Sequence, residues 1–205
     1  MNELGFIPVT LVPFVCIFLA YLLGSISFGI LMSKAFGLPD PRTVGSGNIG
    51  ATNIARSGKK LPAILTLLGD AGKGWLAVFL AQRYGLSDGF ICVVALAAFL
   101  GHLYPVFCGF KGGKGVATAV GILLAFSGCV ALICIATWAA VFAIWRYSSL
   151  AALIGACVAP LAAWYFLSYP GYAATALVLA LLLIWRHKSN IQKLLAGTEA
   201  GFGKK

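Results

Sequence analysis

The stretch of this sequence richest in chemistry is residues 45–53, Gly-Ser-Gly-Asn-Ile-Gly-Ala-Thr-Asn, followed closely by Arg56. Its glycines let the backbone bend so that amide N–H groups converge on an anion. Ser46, Asn48, Thr52 and Asn53 add hydroxyl and amide donors, and Arg56 can fork two hydrogen bonds to a phosphate. A second stretch, residues 110–118, reads Phe-Lys-Gly-Gly-Lys-Gly-Val-Ala-Thr. There Lys111 and Lys114 flank Gly112 and Gly113 just before a predicted helix, whose first turn offers free N–H groups and a positive dipole end. A third, residues 186–193, carries His187 and Asn190, which share a face if helical. Ser149, in Tyr-Ser-Ser at 147–149, adds a hydroxyl. The chemistry these residues suit is recognition of phosphate. His102, near the end of an apolar run, reads equally as a structural or a catalytic histidine.

Other site chemistries fit less well. Gly45, Gly47 and Gly50 match a dinucleotide fingerprint by letter, but that motif needs a preceding strand. The 110–118 stretch lacks the first glycine and the Ser/Thr of a phosphate-binding P-loop. The six cysteines form no CxxC pair or cluster with histidine, and read as small packing residues. Five acidic residues in the chain argue against an essential two-metal site.

The elements that must position these loops are hydrophobic. Apolar residues make up 61% of the 205-residue chain, charged residues 10%, and mean hydropathy is +0.98. Such a composition calls for a bilayer, and there is no room for a separate soluble domain. Glu3 is the only charge before Lys34, so the N-terminus reads as a retained first span rather than a cleaved signal. Spans are predicted at about 6–32, 61–82 and 89–107, and later at about 150–167 and 172–185. The run 116–145 is too long for one span of about 20 residues, and Ser127-Gly128 offers a break.

Charge favours that break. With it, the segments 34–60, 108–115, 146–149 and the tail from Arg186 share one side. That side then holds all the lysines and arginines except Arg83 and Lys73. The positive-inside rule therefore predicts seven spans, N-terminus outside and C-terminus inside, with a short fourth helix. The net charge of +10 reads as topology plus an anion site, not as nucleic-acid binding. Asp70 and Lys73 are three apart within a span and can neutralise each other. Ser25-x-x-x-Gly29 is a small-residue pattern that packs helices. No internal repeat supports an inverted-repeat transporter.

The ordered motifs GSGNIGATN with Arg56, GHLYPVF…FKGGKGVAT, and HKSNIQKL resemble the bacterial acyl-phosphate:glycerol-3-phosphate acyltransferases. The resemblance runs from about Tyr21 to Glu199. It implies an all-α, polytopic membrane protein of seven transmembrane helices, a single membrane-embedded acyltransferase domain over 1–205. It implies a bacterial cytoplasmic (inner) membrane location, with the motif loops and active site facing the cytoplasm. The activity implied is transfer of a fatty acyl group from acyl-phosphate to the sn-1 hydroxyl of glycerol 3-phosphate, giving lysophosphatidic acid and phosphate. No cofactor or metal is implied. A soluble enzyme that makes acyl-phosphate is an expected functional partner.

By the same resemblance, Ser46, Asn48 and Arg56 are glycerol-3-phosphate or catalytic residues, and Thr52 and Asn53 belong to their loop. Lys114 is a phosphate or transition-state ligand, and Lys111, Gly112 and Gly113 shape its loop. His187 and Asn190 are substrate residues, with Ser149 a weaker match. Lys193 stands where the family often has arginine. The H-x4-D motif of other glycerolipid acyltransferases is absent, so His187 or the substrate's own phosphate is expected to take the hydroxyl proton. The alternative class is a transporter of an anionic metabolite or lipid.

Overall fold

The computed structural model describes residues 9–202, and within them all regular structure is helical. The predicted start of the first span and the bases Lys204 and Lys205 lie outside the described residues. The order is α1 (Val12–Gly24), α2 (Phe28–Ala35), α3 (Ala51–Ala55), α4 (Lys60–Arg83), α5 (Asp88–Leu103), α6 (Val116–Phe126), α7 (Gly128–Trp145), α8 (Ser148–Phe166), α9 (Pro170–Arg186) and α10 (Lys188–Leu195). By length and composition four helices suffice to cross a membrane, or six if α1–α2 and α9–α10 each count as one bent span.

The expected break at Ser127 is present. Its hydroxyl accepts from the Val130 amide, capping α7, and its extended backbone ends the short α6. The first span is not the continuous helix expected. It bends by 41° between α1 and α2. Ser25 donates its hydroxyl to the Tyr21 carbonyl at 2.9 Å, and Ser27 caps the Ile30 amide. The Ile30 amide is the normal helical partner of the Ile26 carbonyl. That carbonyl is therefore left over at membrane depth, where an unanswered polar group costs several kcal/mol. Lys73 Nζ answers it at 2.7 Å.

The bundle is inverted relative to a soluble core. Its interior is mostly small, with Ala77, Ala81, Ala95, Ala98, Ala151, Ala163 and Ala176 buried. Large apolar side chains such as Phe14, Leu68, Leu132, Leu161 and Trp164 face outward. Without a hydrophobic drive between helices in lipid, small residues allow the close approach that dispersion needs. Gly24 of α1 meets the Ala98 carbonyl of α5, and Gly101 of α5 meets Tyr21, so neither position has space for a Cβ. The main packings are α4 on α6, α7 on α8, α1 on α5 and α8 on α9.

Candidate active site

Four segments meet at one end of this bundle. In the first, Asn53 is the keystone. Its Nδ2 donates to the carbonyls of Pro41 (2.9 Å) and Val44 (3.0 Å), and its Oδ1 accepts from the Ser46 amide at 2.9 Å. That closes the turn through Gly45 and Gly47, both left-handed at φ +60° and +69°. The amide of Asn53 is thereby committed to shaping the loop. Gly29, expected to pack a helix, instead lets α2 meet the Ile49 carbonyl of this loop.

In the second segment the Gly113 amide donates to the His102 carbonyl at 3.2 Å. Arg186 donates from Nε to the Gly113 carbonyl (3.1 Å) and from Nη2 to the Gly112 carbonyl (2.9 Å). A Cβ on Gly112 would strike the carbonyls of His102 and Leu103, and one on Gly113 would strike the His102 ring. The paired glycines are thus required by packing. Lys111 is exposed and lines an open groove of about 490 Å³ with Asp40, Arg42, Thr43, Gly47, Ile49 and Gly112, between the first and second loops.

The tail completes the cluster. Lys114 Nζ donates to Asn190 Oδ1, and Asn190 Nδ2 donates to Glu199 Oε1 at 2.8 Å. Ser149 Oγ donates to the same carboxylate oxygen. Thr52 Oγ1 lies 3.2 Å from Ser148 Oγ. Arg56 Nη2 donates to the Ala200 carbonyl at 2.7 Å, and its guanidinium sits over the Phe202 ring, 5.4 Å from the centroid. The Phe202 amide donates to the Arg146 carbonyl at 2.9 Å, and its ring meets Phe142 edge-on at 5.5 Å. Residues 199–202 are therefore a strap across Arg56, Ser149 and Asn190.

Lys114 and His187 both have displaced ionisation. Burial pushes the Lys114 ammonium below its usual value; Glu199 opposes this, and Lys193, Arg56 and Arg186 add to it. His187 is 2% exposed, and its Nδ1 lies 2.8 Å from the Leu183 carbonyl. A carbonyl only accepts, so Nδ1 carries the proton and Nε2 keeps a lone pair. Burial lowers the His187 pKa to about 4, Lys114 and Arg186 push the same way, and the Leu183 bond and Glu199 oppose them. The ring is neutral at pH 7.

Lys114, Arg56, Ser149, Asn190, His187 and Thr52 are thus drawn to one end of the bundle. Ser46 is exposed and Asn48 half-buried at the rim of the first loop. Among the described residues, no hydrogen bond ties either one to the Lys114 cluster. Sequence reasoning missed Glu199 and Arg186 as site residues. Glu199 had a signal: it is the only acid in a basic tail. Among the described residues no three His, Cys, Asp or Glu side chains form a metal-ligating group.

These features define a helical membrane protein with a basic, glycine-lined side-chain cluster at one end of its bundle. The family model described as "Glycerol-3-phosphate acyltransferase" matches residues 14–197, and the chain belongs to that family. It is 69% identical over 186 residues to the glycerol-3-phosphate acyltransferase of Methylobacillus flagellatus, covering 91% of this chain and 95% of that one. It is 54% identical over 190 residues to the enzyme of the same name from Neisseria meningitidis serogroup C / serotype 2a, covering 91% and 95%. The fold superposes with TM-score 0.89 and 41% identity on the crystal structure of PlsY (YgiH), an integral membrane glycerol 3-phosphate acyltransferase, in its glycerol 3-phosphate form. That match covers 94% of this chain and 96% of PlsY.

Proposed function

We propose that this chain transfers a fatty acyl group from acyl-phosphate to the sn-1 hydroxyl of glycerol 3-phosphate, releasing lysophosphatidic acid and phosphate in phospholipid synthesis. The observation that carries this reading is the convergence of Arg56, Lys114, Ser149, His187 and Asn190 from segments far apart in sequence onto one end of an apolar bundle. In this reading Arg56 and Lys114 neutralise phosphate, and Ser149 and Asn190 orient the glycerol. Neutral His187 offers Nε2 to the attacking hydroxyl. Ser46 and Asn48 contribute donors from the rim, with Lys111, Gly112 and Gly113 holding the facing loop. Thr52 and Asn53 set the shape of the first loop. Acyl-phosphate is a mixed anhydride with a good leaving group, so positioning and charge stabilisation suffice without a covalent enzyme intermediate.

We read the whole chain as one membrane-embedded domain of seven spans, with α1–α2 and the short α6 each counted once. The N-terminus lies outside, and the loops and site face the cytoplasm at the bacterial inner membrane. The break at Ser127 and the shared end of the basic loops support this arrangement. A soluble enzyme that makes acyl-phosphate supplies the donor. The test is the purified protein in detergent, given long-chain acyl-phosphate and glycerol 3-phosphate, with acyl thioester as the competing donor. Lysophosphatidic acid formed from acyl-phosphate alone, and lost in Lys114→Ala and Arg56→Ala, is the expected result. No product, with anion flux in liposomes instead, would replace this reading with a transporter.

A further inference from the structure

We propose that the buried Asp70–Lys73 pair and His102 are positioning residues that set the two glycine loops against each other. The proposal rests on the acyl-transfer reading for its kinetic consequences and on geometry alone for its structural ones. Asp70, Lys73 and His102 are 3%, 3% and 5% exposed, and the candidate chemistry uses none of them directly. Lys73 Nζ is 2.8 Å from Asp70 Oδ1, and His102 Nδ1 is 3.6 Å from the same oxygen. His102 Nδ1 has no hydrogen-bond partner of its own, so the ring is held by packing and by the charge of Asp70.

Each arm of this cluster ends on a loop. Through Lys73 it ends on the Ile26 carbonyl in the gap between α1 and α2. α2 leaves that gap and lies directly on the Ile49 carbonyl of the first glycine loop through Gly29. Through His102 it ends on the second loop, where the His102 carbonyl accepts from Gly113 and the ring fills the space below it. The same gap touches the approach to the second loop, since Tyr21 donates to the Tyr104 carbonyl (2.8 Å) and the Val106 amide donates to Ser25 Oγ (3.4 Å). A charged pair in apolar surroundings is held in one geometry, because each partner has no other place to put its charge. It therefore fixes the separation of two loops that share no helix.

The experiment is hydrogen exchange on the full-length protein in detergent, with steady-state kinetics beside it. Lys73→Met alone leaves Asp70 uncompensated, so the neutral double variant Asp70→Asn/Lys73→Met is the main probe. Exchange is expected to rise in both 45–53 and 109–115 while α7–α9 keep their protection. Turnover falls about 100-fold, as for a loss of alignment near 1 Å, with kcat reduced more than KM is raised. His102→Ala raises exchange in 109–115 only. Lys73→Arg, which keeps charge and donors, restores protection of 45–53. A folded double variant with wild-type exchange in both loops and wild-type kcat overturns the proposal. Should the double variant fail to fold, unchanged exchange of 109–115 in His102→Ala overturns it. A wild-type protein with no acyl transfer would refute the functional reading, while the exchange pattern would still decide the hub.

Discussion

The two ends of this bundle solve the same problem, joining helices, in opposite ways. At the end that holds Arg83, the connections are short and gather few cations. Ser127 caps its own helix, and the bonds that reach between helices carry no cation: Gln82 donates to the Ala125 carbonyl at 3.0 Å, and Tyr172 donates to Asp88 at 2.6 Å. At the other end, the side chains that reach across the chain are cations: Arg56 to Ala200, Lys114 to Asn190, Arg186 to Gly112 and Gly113. The first set brings no group of cations together. Long-range pairing gathers cations that no single loop could hold, and keeps them near one another against their own repulsion.

The strongest way to break this contrast is Lys114→Ala. It should lower kcat/KM by about 10²–10³-fold, the scale of one preorganised charge stabiliser, with the fold retained by circular dichroism. A wild-type rate would show that the site end is scaffolding.

His187 sharpens the contrast through pH. Its folded pKa of about 4 lies below the ordinary 6.5, so the unfolded chain binds more protons between those values. Its contribution to stability is fully present above pH 6.5 and is lost as pH falls towards 4. The loss is about 3–4 kcal/mol at most, from the shift at about 1.4 kcal/mol per unit. Thermal melts across this window should show the slope, and His187→Gln should flatten it.

Phe202→Ala removes the ring under Arg56 and loosens the strap. An effect of about 1–2 kcal/mol, the scale of a cation–π contact with its packing, would raise KM for glycerol 3-phosphate about 5- to 30-fold and leave kcat nearly unchanged. Asp88→Asn at the opposite end weakens an exposed hydrogen bond. It should cost about 1 kcal/mol or less in melting experiments and leave both kinetic constants at wild-type values. An Asp88 variant with impaired turnover would erase the distinction between the ends.

What was legible in the sequence follows the same division. The helix bounds, the break at Ser127 and the Asp70–Lys73 pair are local patterns, set by apolar run length, a capping serine and helical spacing. The gathering of basic segments was legible from charge alone, because membrane topology sorts lysine and arginine by side. The gap at residues 25–27 was not. Within an apolar run, serines and glycine read as close packing, and nothing local shows that Ile30 will be capped by Ser27. Asn53 read as a ligand donor because its three loop bonds depend on a fold not yet visible. Arg186 and Glu199 were hidden for the converse reason: their partners lie far away in sequence.

The shortness of α6 has a geometric consequence. Gly74 of α4 packs on Thr118 of α6, and Gln82 of α4 meets Ala125 near the far end. The two helices run side by side, but α4 begins about 20 Å earlier at 1.5 Å per residue. Lys114, just before α6, therefore stands well along the length of α4 rather than level with its start. In the proposed reaction the oily donor stays at its own level in the bilayer. The water-soluble acceptor is the partner that travels along α4 to meet Lys114.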